Sequence, residues 1–375
     1  VTRIASLLII LVISACCCNL SGLQSILGNA TPTAQPSPTA KQLLPTLDSA
    51  VTLTSHPTLD TSSSRVEQVE SMLALASQES WEKTVREFSG AAPFTLDGKQ
   101  YTITTRLSEE LFPASNPTPA FDYLLMRAGE LVPADWIEVQ EYTYSDDKGS
   151  QKWANIVVTL PGQTRPQEEI LLTAHFDSAT YDFDPEAPAP GADDNASGVA
   201  ALLEALAVFS QYEFERTVKI VFFSGEEYGL WGSRAYTRQN DMDAVQAVIN
   251  LDVISYDPNN DQCADLHAGT LAQSENIGLM MLQLVETYDL DLQVEYFTDD
   301  AIDASDHSPF WQEGIGAVLL SANLMDGRED TCEPPEYNPH MHTADDTFKS
   351  INAYTGFELT RLALITAIEL AGPLP

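Results

Sequence analysis

From residue 170 onward, short apolar runs of buried-strand type alternate with helical stretches, and a carboxylate or imidazole follows several of those runs. Residues 170–174 run into His175, and residues 218–223 lead across Ser224-Gly225 to Glu226-Glu227. Residues 248–251 end at Asp252. Between them, residues 196–209 have helical spacing, with Gly198, Ala200, Ala201, Ala205 and Ala207 allowing close packing on a sheet. Strands separated by helical crossovers fold as an α/β protein, here a three-layer sandwich with a central mixed, largely buried β-sheet flanked by helices. In open sheets of this kind, sites form beyond the carboxyl ends of the strands. The acidic and imidazole residues are therefore brought together by topology before any function is invoked.

The same reading extends outward. Helical spacing begins at Val66 and is expected to continue toward Phe88, and a second helix is expected over 120–128, stopped by Gly129. Strands are expected at 136–144, 154–160, 292–297 and 317–320, and helices at 273–288 and 353–370. Residues 65–375 then make one catalytic domain without a separate substrate domain.

Ahead of it, Arg3 and the apolar residues 4–13 form an export signal too short to span a bilayer. Ile13-Ser14-Ala15-Cys16 resembles a bacterial lipobox. Residues 1–15 are thus read as a lipoprotein signal peptide, Cys16 as the lipidation site and residues 16–64, rich in Thr, Pro and Ser, as a disordered tether. The expected location is the bacterial cell surface, with plain secretion as the alternative. Lys and Arg number 18 against 55 Asp and Glu, a formal net charge of -37. That charge repels nucleic acid and anionic membranes, so membrane contact is expected only through the lipid, and the chain is read as a monomer. Cys263 and Cys332 lie outside the leader and are a pair that an exported chain can close into a disulfide, two free thiols being the alternative.

Zinc takes imidazole nitrogen and carboxylate oxygen. Two zincs about 3.5–4 Å apart can share a bridging carboxylate and a bridging water. His175, Asp252, Glu227 and His342 can supply four terminal ligands, with Asp194 as the bridge. Each has an ordinary alternative: Asp194 precedes a helix and could be a cap, and His340 shares a strand face with His342 and rivals it. Glu226 is left over, a carboxylate placed to act as general base and then general acid.

The segments Leu172-Thr173-Ala174-His175-Phe176-Asp177-Ser178, Pro190-Gly191-Ala192-Asp193-Asp194-Asn195 and Phe223-Ser224-Gly225-Glu226-Glu227-Tyr228-Gly229-Leu230-Trp231-Gly232-Ser233 carry a family pattern, which Asn250-Leu251-Asp252 and His340-Met341-His342-Thr343 complete. Over residues 65–372 the chain resembles the two-zinc exopeptidases that include bacterial leucyl-type aminopeptidases, related to glutamate carboxypeptidases and glutaminyl cyclases. The resemblance implies the zinc exopeptidase fold and two zincs per chain: His175 and Asp252 on one, Glu227 and His342 on the other, Asp194 between them. It favours His342 over His340. It implies that Asp177 orients His175, that Glu226 activates a water shared by the metals, and that the Asp194–Asn195 peptide is a candidate for the cis form. Ser305, Asp306, His307 and Tyr228 would belong to the substrate pocket; three residues adjacent in the chain do not easily make a serine-protease triad. Met341 stands where some relatives carry a tyrosine that polarises the carbonyl, leaving backbone N–H groups near Ser305 as alternative donors. The implied activity is removal of N-terminal residues from peptides. Alternatives are carboxypeptidase or dipeptidase action, which would need a cation such as Arg234 or Arg328, glutaminyl cyclisation, and a non-catalytic receptor-like domain.

Overall fold

In the computed structural model, residues 59–106, 119–146, 149–184, 187–322, 324, 332 and 337–375 are described. The leader, Cys16, the tether up to residue 58 and Arg328 lie outside them. Two helices come first, α1 (Ser63–Leu73) and α2 (Gln78–Phe88). The single helix expected here is broken because Ser77 caps α2: its hydroxyl accepts from Ser80 N, and its own N–H donates to Glu204 Oε2 at 2.8 Å. A hairpin of β1 (Phe94–Leu96) and β2 (Lys99–Tyr101) follows, then α3 (Pro119–Leu131), which continues through Gly129 instead of stopping there.

The main sheet is built from β3 (Ile137–Asp146), β4 (Gly149–Leu160), β5 (Arg165–His175), β6 (Arg216–Phe223), β7 (Val245–Leu251), β8 (Cys263–His267), β9 (Gln293–Phe297) and β10 (Ala317–Ser321). Its order is β3-β4-β6-β5-β7-β10-β8-β9. The connecting helices are α4 (Gly198–Phe209), α5 (Trp231–Gln239), α6 (Ala272–Thr287) and α7 (Ser308–Gln312), and α8 (Ala353–Ala371) follows the last strand. The centre, β6-β5-β7-β10, is parallel, while β4 joins β6 and β8 joins β10 antiparallel, so the sheet is mixed as the sequence implies.

The period-two alternation of a strand divides the core. Ile170, Leu172 and Ala174 of β5 face the larger core, which α4 and α8 line with Val199, Leu202, Leu362 and Ile365. Leu171 faces the smaller one with Val221, Phe223 and Val248, closed by Tyr236 of α5 and Phe310 of α7. Strands apolar on both faces are what a doubly covered sheet requires. Parallel pairing then aligns the strand ends: His175 lies opposite Phe223 of β6, and Thr173 opposite Asn250 of β7. Cys263 and Cys332 form a disulfide, with Cα atoms 6.0 Å apart.

Candidate metal centre

His175 is the last residue of β5, and Asp252 follows the last residue of β7. Glu226 and Glu227 follow β6 after Gly225, whose φ of 67° turns the chain sharply. Asp194 sits in an irregular turn, Ala192–Ser197, that enters α4; its φ, ψ of -110°, 88° are not helical, and the Asp194–Asn195 peptide is cis. His342 comes from the loop before α8 and has a φ of 56°.

These elements converge on Asp194. His175 Nε2 lies 3.2 Å from Asp194 Oδ1 and 3.1 Å from Asp252 Oδ1. His342 Nε2 lies 3.1 Å from Asp194 Oδ2 and 2.9 Å from Glu227 Oε2. The result is two donor sets, His175–Asp194–Asp252 and Asp194–Glu227–His342, each with ligand atoms within 4.8 Å of one another. His340 belongs to neither; its ring packs edge-on to Tyr256. Imidazole nitrogens and carboxylate oxygens so arranged suit divalent first-row cations. Glu227 Oε1 is buried without a hydrogen-bond partner, a state that costs free energy unless something is bound there.

A second ring of polar groups holds the donors. Asp177 accepts from the N–H of Glu226 at 3.2 Å and of Glu227 at 3.3 Å, and its Oδ1 lies 3.6 Å from His175 Nδ1. Asp346 accepts from the N–H of Asp193 and of Asp194, each at 3.0 Å, tying the His342 loop to the turn. Asp193 accepts from Ser255 and Asn338. A relay runs from Thr173 to Asn250 (2.7 Å), from Asn250 to Ser305 (2.8 Å) and from Ser305 Oγ to Asp252 Oδ2 (2.7 Å).

The electrostatics are those of a site with too few positive charges. Burial pushes the Glu226 carboxyl well above its ordinary range, opposed by His175 and reinforced by Asp252, Asp306 and Glu227. Burial lifts Glu227 to about 7 and Asp306 to about 7. For His342, burial works downward, but hydrogen bonds to Asp194 and Glu227 carry it up to about 12. Glu226 enters neither donor set and stands beside them.

Of the residues assigned from sequence to the pocket, Ser305, Asp306 and His307 are buried to 1% exposure or less. Ser305 reaches Asp252, and His307 turns to Ile302 O at 2.8 Å and packs on Trp311. Tyr228 stays partly exposed, stacked on Trp231 and beside Phe183. Tyr181 (66% exposed), Phe183 (42%) and Tyr337 (41%) are solvent-exposed aromatics, and the Tyr181 ring lies edge-on to His342 at 5.5 Å. Sequence reasoning missed these three and Arg106. An aromatic in a loop just past a ligand motif was the available signal for Tyr181 and Phe183; Arg106 had none. Arg234, the described cation proposed for a carboxylate, donates to Gln312 and to Gly229 O.

Fold and donor set together define an α/β protein of the metallopeptidase class. Residues 155–365 match Peptidase family M28, and the chain belongs to that family. Among curated relatives it is 28% identical over 256 residues to a probable leucine aminopeptidase of Trichophyton verrucosum, spanning 63% of this chain and 66% of that protein, just under two thirds of its length. It is 26% identical over 219 residues to aminopeptidase YwaD of Bacillus subtilis, spanning 54% of this chain and 41% of that one. Among solved structures, the LapA aminopeptidase of Legionella pneumophila superposes with a TM-score of 0.63 at 19% identity, over 86% of this chain and 79% of that one. A glutaminyl cyclase of Bacteroides thetaiotaomicron superposes with a TM-score of 0.59 at 19% identity, over 77% and 97%. At these identities the superpositions speak for the fold alone.

Proposed function

We propose that this chain is a zinc-dependent exopeptidase, an aminopeptidase carrying two zincs, exported and tethered at the cell surface through Cys16, and acting as a monomer. The observation that carries the reading is that two donor sets share Asp194 while Glu226 stands beside them, outside both. The names of the curated relatives, aminopeptidases and a probable zinc metalloprotease of Pyrenophora tritici-repentis, support it.

His175 and Asp252 would hold one ion, Glu227 and His342 the other, with one oxygen of Asp194 toward each. Asp252 Oδ2 accepts from Ser305, and Oδ1, which faces His175, would be the oxygen offered to the ion. Asp177 Oδ1, 3.6 Å from His175 Nδ1, is the carboxylate placed to orient the ring so that Nε2 faces the centre. Bound zinc supplies Lewis acidity toward a peptide carbonyl and toward water. Glu226, a carboxylate beside both donor sets and part of neither, takes the proton from the attacking water and delivers it to the leaving amine. The free α-amine of the substrate would be drawn to the acidic lining of the centre. Glutaminyl cyclisation shares the fold, and the names of the curated relatives favour peptide hydrolysis over it.

The test is Glu226→Gln, compared with wild type for metal content and for turnover of aminoacyl and N-blocked peptides. The variant should keep two zincs and lose roughly 10²–10⁴-fold in turnover. Loss of metal would exchange the roles of Glu226 and Glu227. Cleavage of N-blocked peptides would move the activity to the other end of the substrate, and pyroglutamate formation would replace hydrolysis with cyclisation.

A further inference from the structure

Arg106 lies in no motif, is 3% exposed, and donates to no carboxylate among the described residues. Its guanidinium instead spends all five N–H groups on five backbone carbonyls: Nε on Phe176 (2.8 Å), Nη1 on Phe88 (3.1 Å) and Pro190 (2.5 Å), Nη2 on Gly191 (2.9 Å) and Asp194 (3.3 Å). The partners are not scattered. Phe176 lies between His175 and Asp177, Pro190 and Gly191 open the turn that carries Asp194, and Asp194 is the shared donor itself. Phe88 closes α2, where the last carbonyls lack helical partners and the helix dipole favours a cation.

The backbone of Arg106 is fixed independently. Its N–H donates to Ser178 Oγ (3.1 Å), which donates in turn to Ala189 O (2.8 Å), and Thr105 bridges Ala189. The turn is shaped around the side chain: a Cβ on Gly191 would lie 2.5 Å from Arg106 Nη2 and 2.1 Å from Asp194 O. Burying a cation against dipoles alone is costly, and an apolar side chain would fill the space at lower cost to folding. Burial draws the guanidinium down to about 10, while Asp194, Asp346, Asp177 and Glu227 support its charge. What only a guanidinium supplies is a rigid planar fork that sets five carbonyls at once.

We infer that Arg106 is a positioning residue of the metal centre, a clamp that holds the His175–Asp177 strand end and the Asp194 turn in mutual register. The inference rests on the metal-centre reading above. Lysine has three donors and no plane, so it keeps the charge and loses the clamp.

The experiment is a zinc titration of metal-free protein against a chromophoric chelator, together with the visible spectrum of the cobalt(II)-loaded protein, which reports ligand geometry. Wild type, Arg106→Lys, Ser178→Ala and a core control, Ile365→Val, are compared. Wild type should titrate two sites; fewer would count against the centre itself and is read separately. Arg106→Lys should bind zinc at least about tenfold more weakly and shift the cobalt bands. Ser178→Ala should move both in the same direction by less, and it carries the test if Arg106→Lys does not fold. Ile365→Val should leave both unchanged. A wild-type titration and spectrum in Arg106→Lys, or in Ser178→Ala where it stands alone, would overturn the assignment. So would an equal change in the core control.

Discussion

Asp252 presents two oxygens with different duties. Oδ1 faces His175 at 3.1 Å, and Oδ2 accepts from Ser305 at 2.7 Å. Ser305→Ala removes the group that fixes the carboxylate rotamer and leaves Asn250 Nδ2 without its acceptor. We expect zinc affinity to fall about 10–100-fold with the fold retained, checked by chelator competition and by circular dichroism. Gly191→Ala acts through the backbone instead: φ is 49° and the new Cβ would meet Asp194 O at 2.1 Å, so the turn must move. We expect it to lose about 1–3 kcal/mol in urea unfolding and to lose metal as well. His175, Glu227 and Asp252 were legible because they stand where apolar runs stop, whereas Asp194 precedes a helix and His342 sits in a loop, so those two were read from the family resemblance. Arg106 was not legible, because its role consists of carbonyls contributed by segments distant in the chain, which no residue type announces. Ser305 was legible as a neighbour of the centre but not as the partner of one particular oxygen.

Elements were readable where periodicity was strong and both neighbours agreed. The central strands β5, β6, β7 and β10 were visible as apolar runs because a sheet covered on both faces tolerates little else. Strand β8 was not, since Cys263-Ala264-Asp265-Leu266-His267 carries an acid and an imidazole although all five residues are buried. Asp265 accepts from Leu324 N at 2.8 Å, a partner the local sequence does not reveal. The α1–α2 boundary was lost for a related reason: Ser77 reads as an ordinary polar helix position until Glu204 is seen holding its N–H. The disulfide joins β8 to a segment 69 residues away. Closing a loop of that length restricts the unfolded chain, so Cys263→Ser with Cys332→Ser should cost about 2–4 kcal/mol. Urea unfolding with saturating zinc would measure it, and an unchanged midpoint would mean that the bridge contributes nothing to stability.

Across the whole molecule, a formal charge of -37 makes the centre one acidic locus among many, and it is one where carboxylates pack around two imidazoles as metal-ligand sets. This has a consequence for stability in the metal-free state. Burial raises Glu227 from 4.5 to about 7 and Asp306 from 3.8 to about 7. A folded-state pKa above the unfolded value means that the folded chain binds protons more tightly. The associated stability is fully present below the unfolded pKa and is lost as pH rises through the folded one. Asp194, held below its ordinary range by His175 and His342 against the effect of burial, acts oppositely, but only in strong acid. Between about pH 4.5 and 7 the metal-free protein should therefore lose stability with rising pH. Zinc should reverse the slope, because its ligands must be deprotonated and binding releases their protons. The stabilisation by zinc should then grow with pH across the same window, as RT ln(1 + [Zn]/Kd) with Kd falling. Chelated and zinc-saturated protein, unfolded in urea at pH 5, 6 and 7, would give two lines that diverge with pH. Parallel lines would mean that zinc binding releases no protons across this window, and so that the buried carboxylates are already ionised at pH 5.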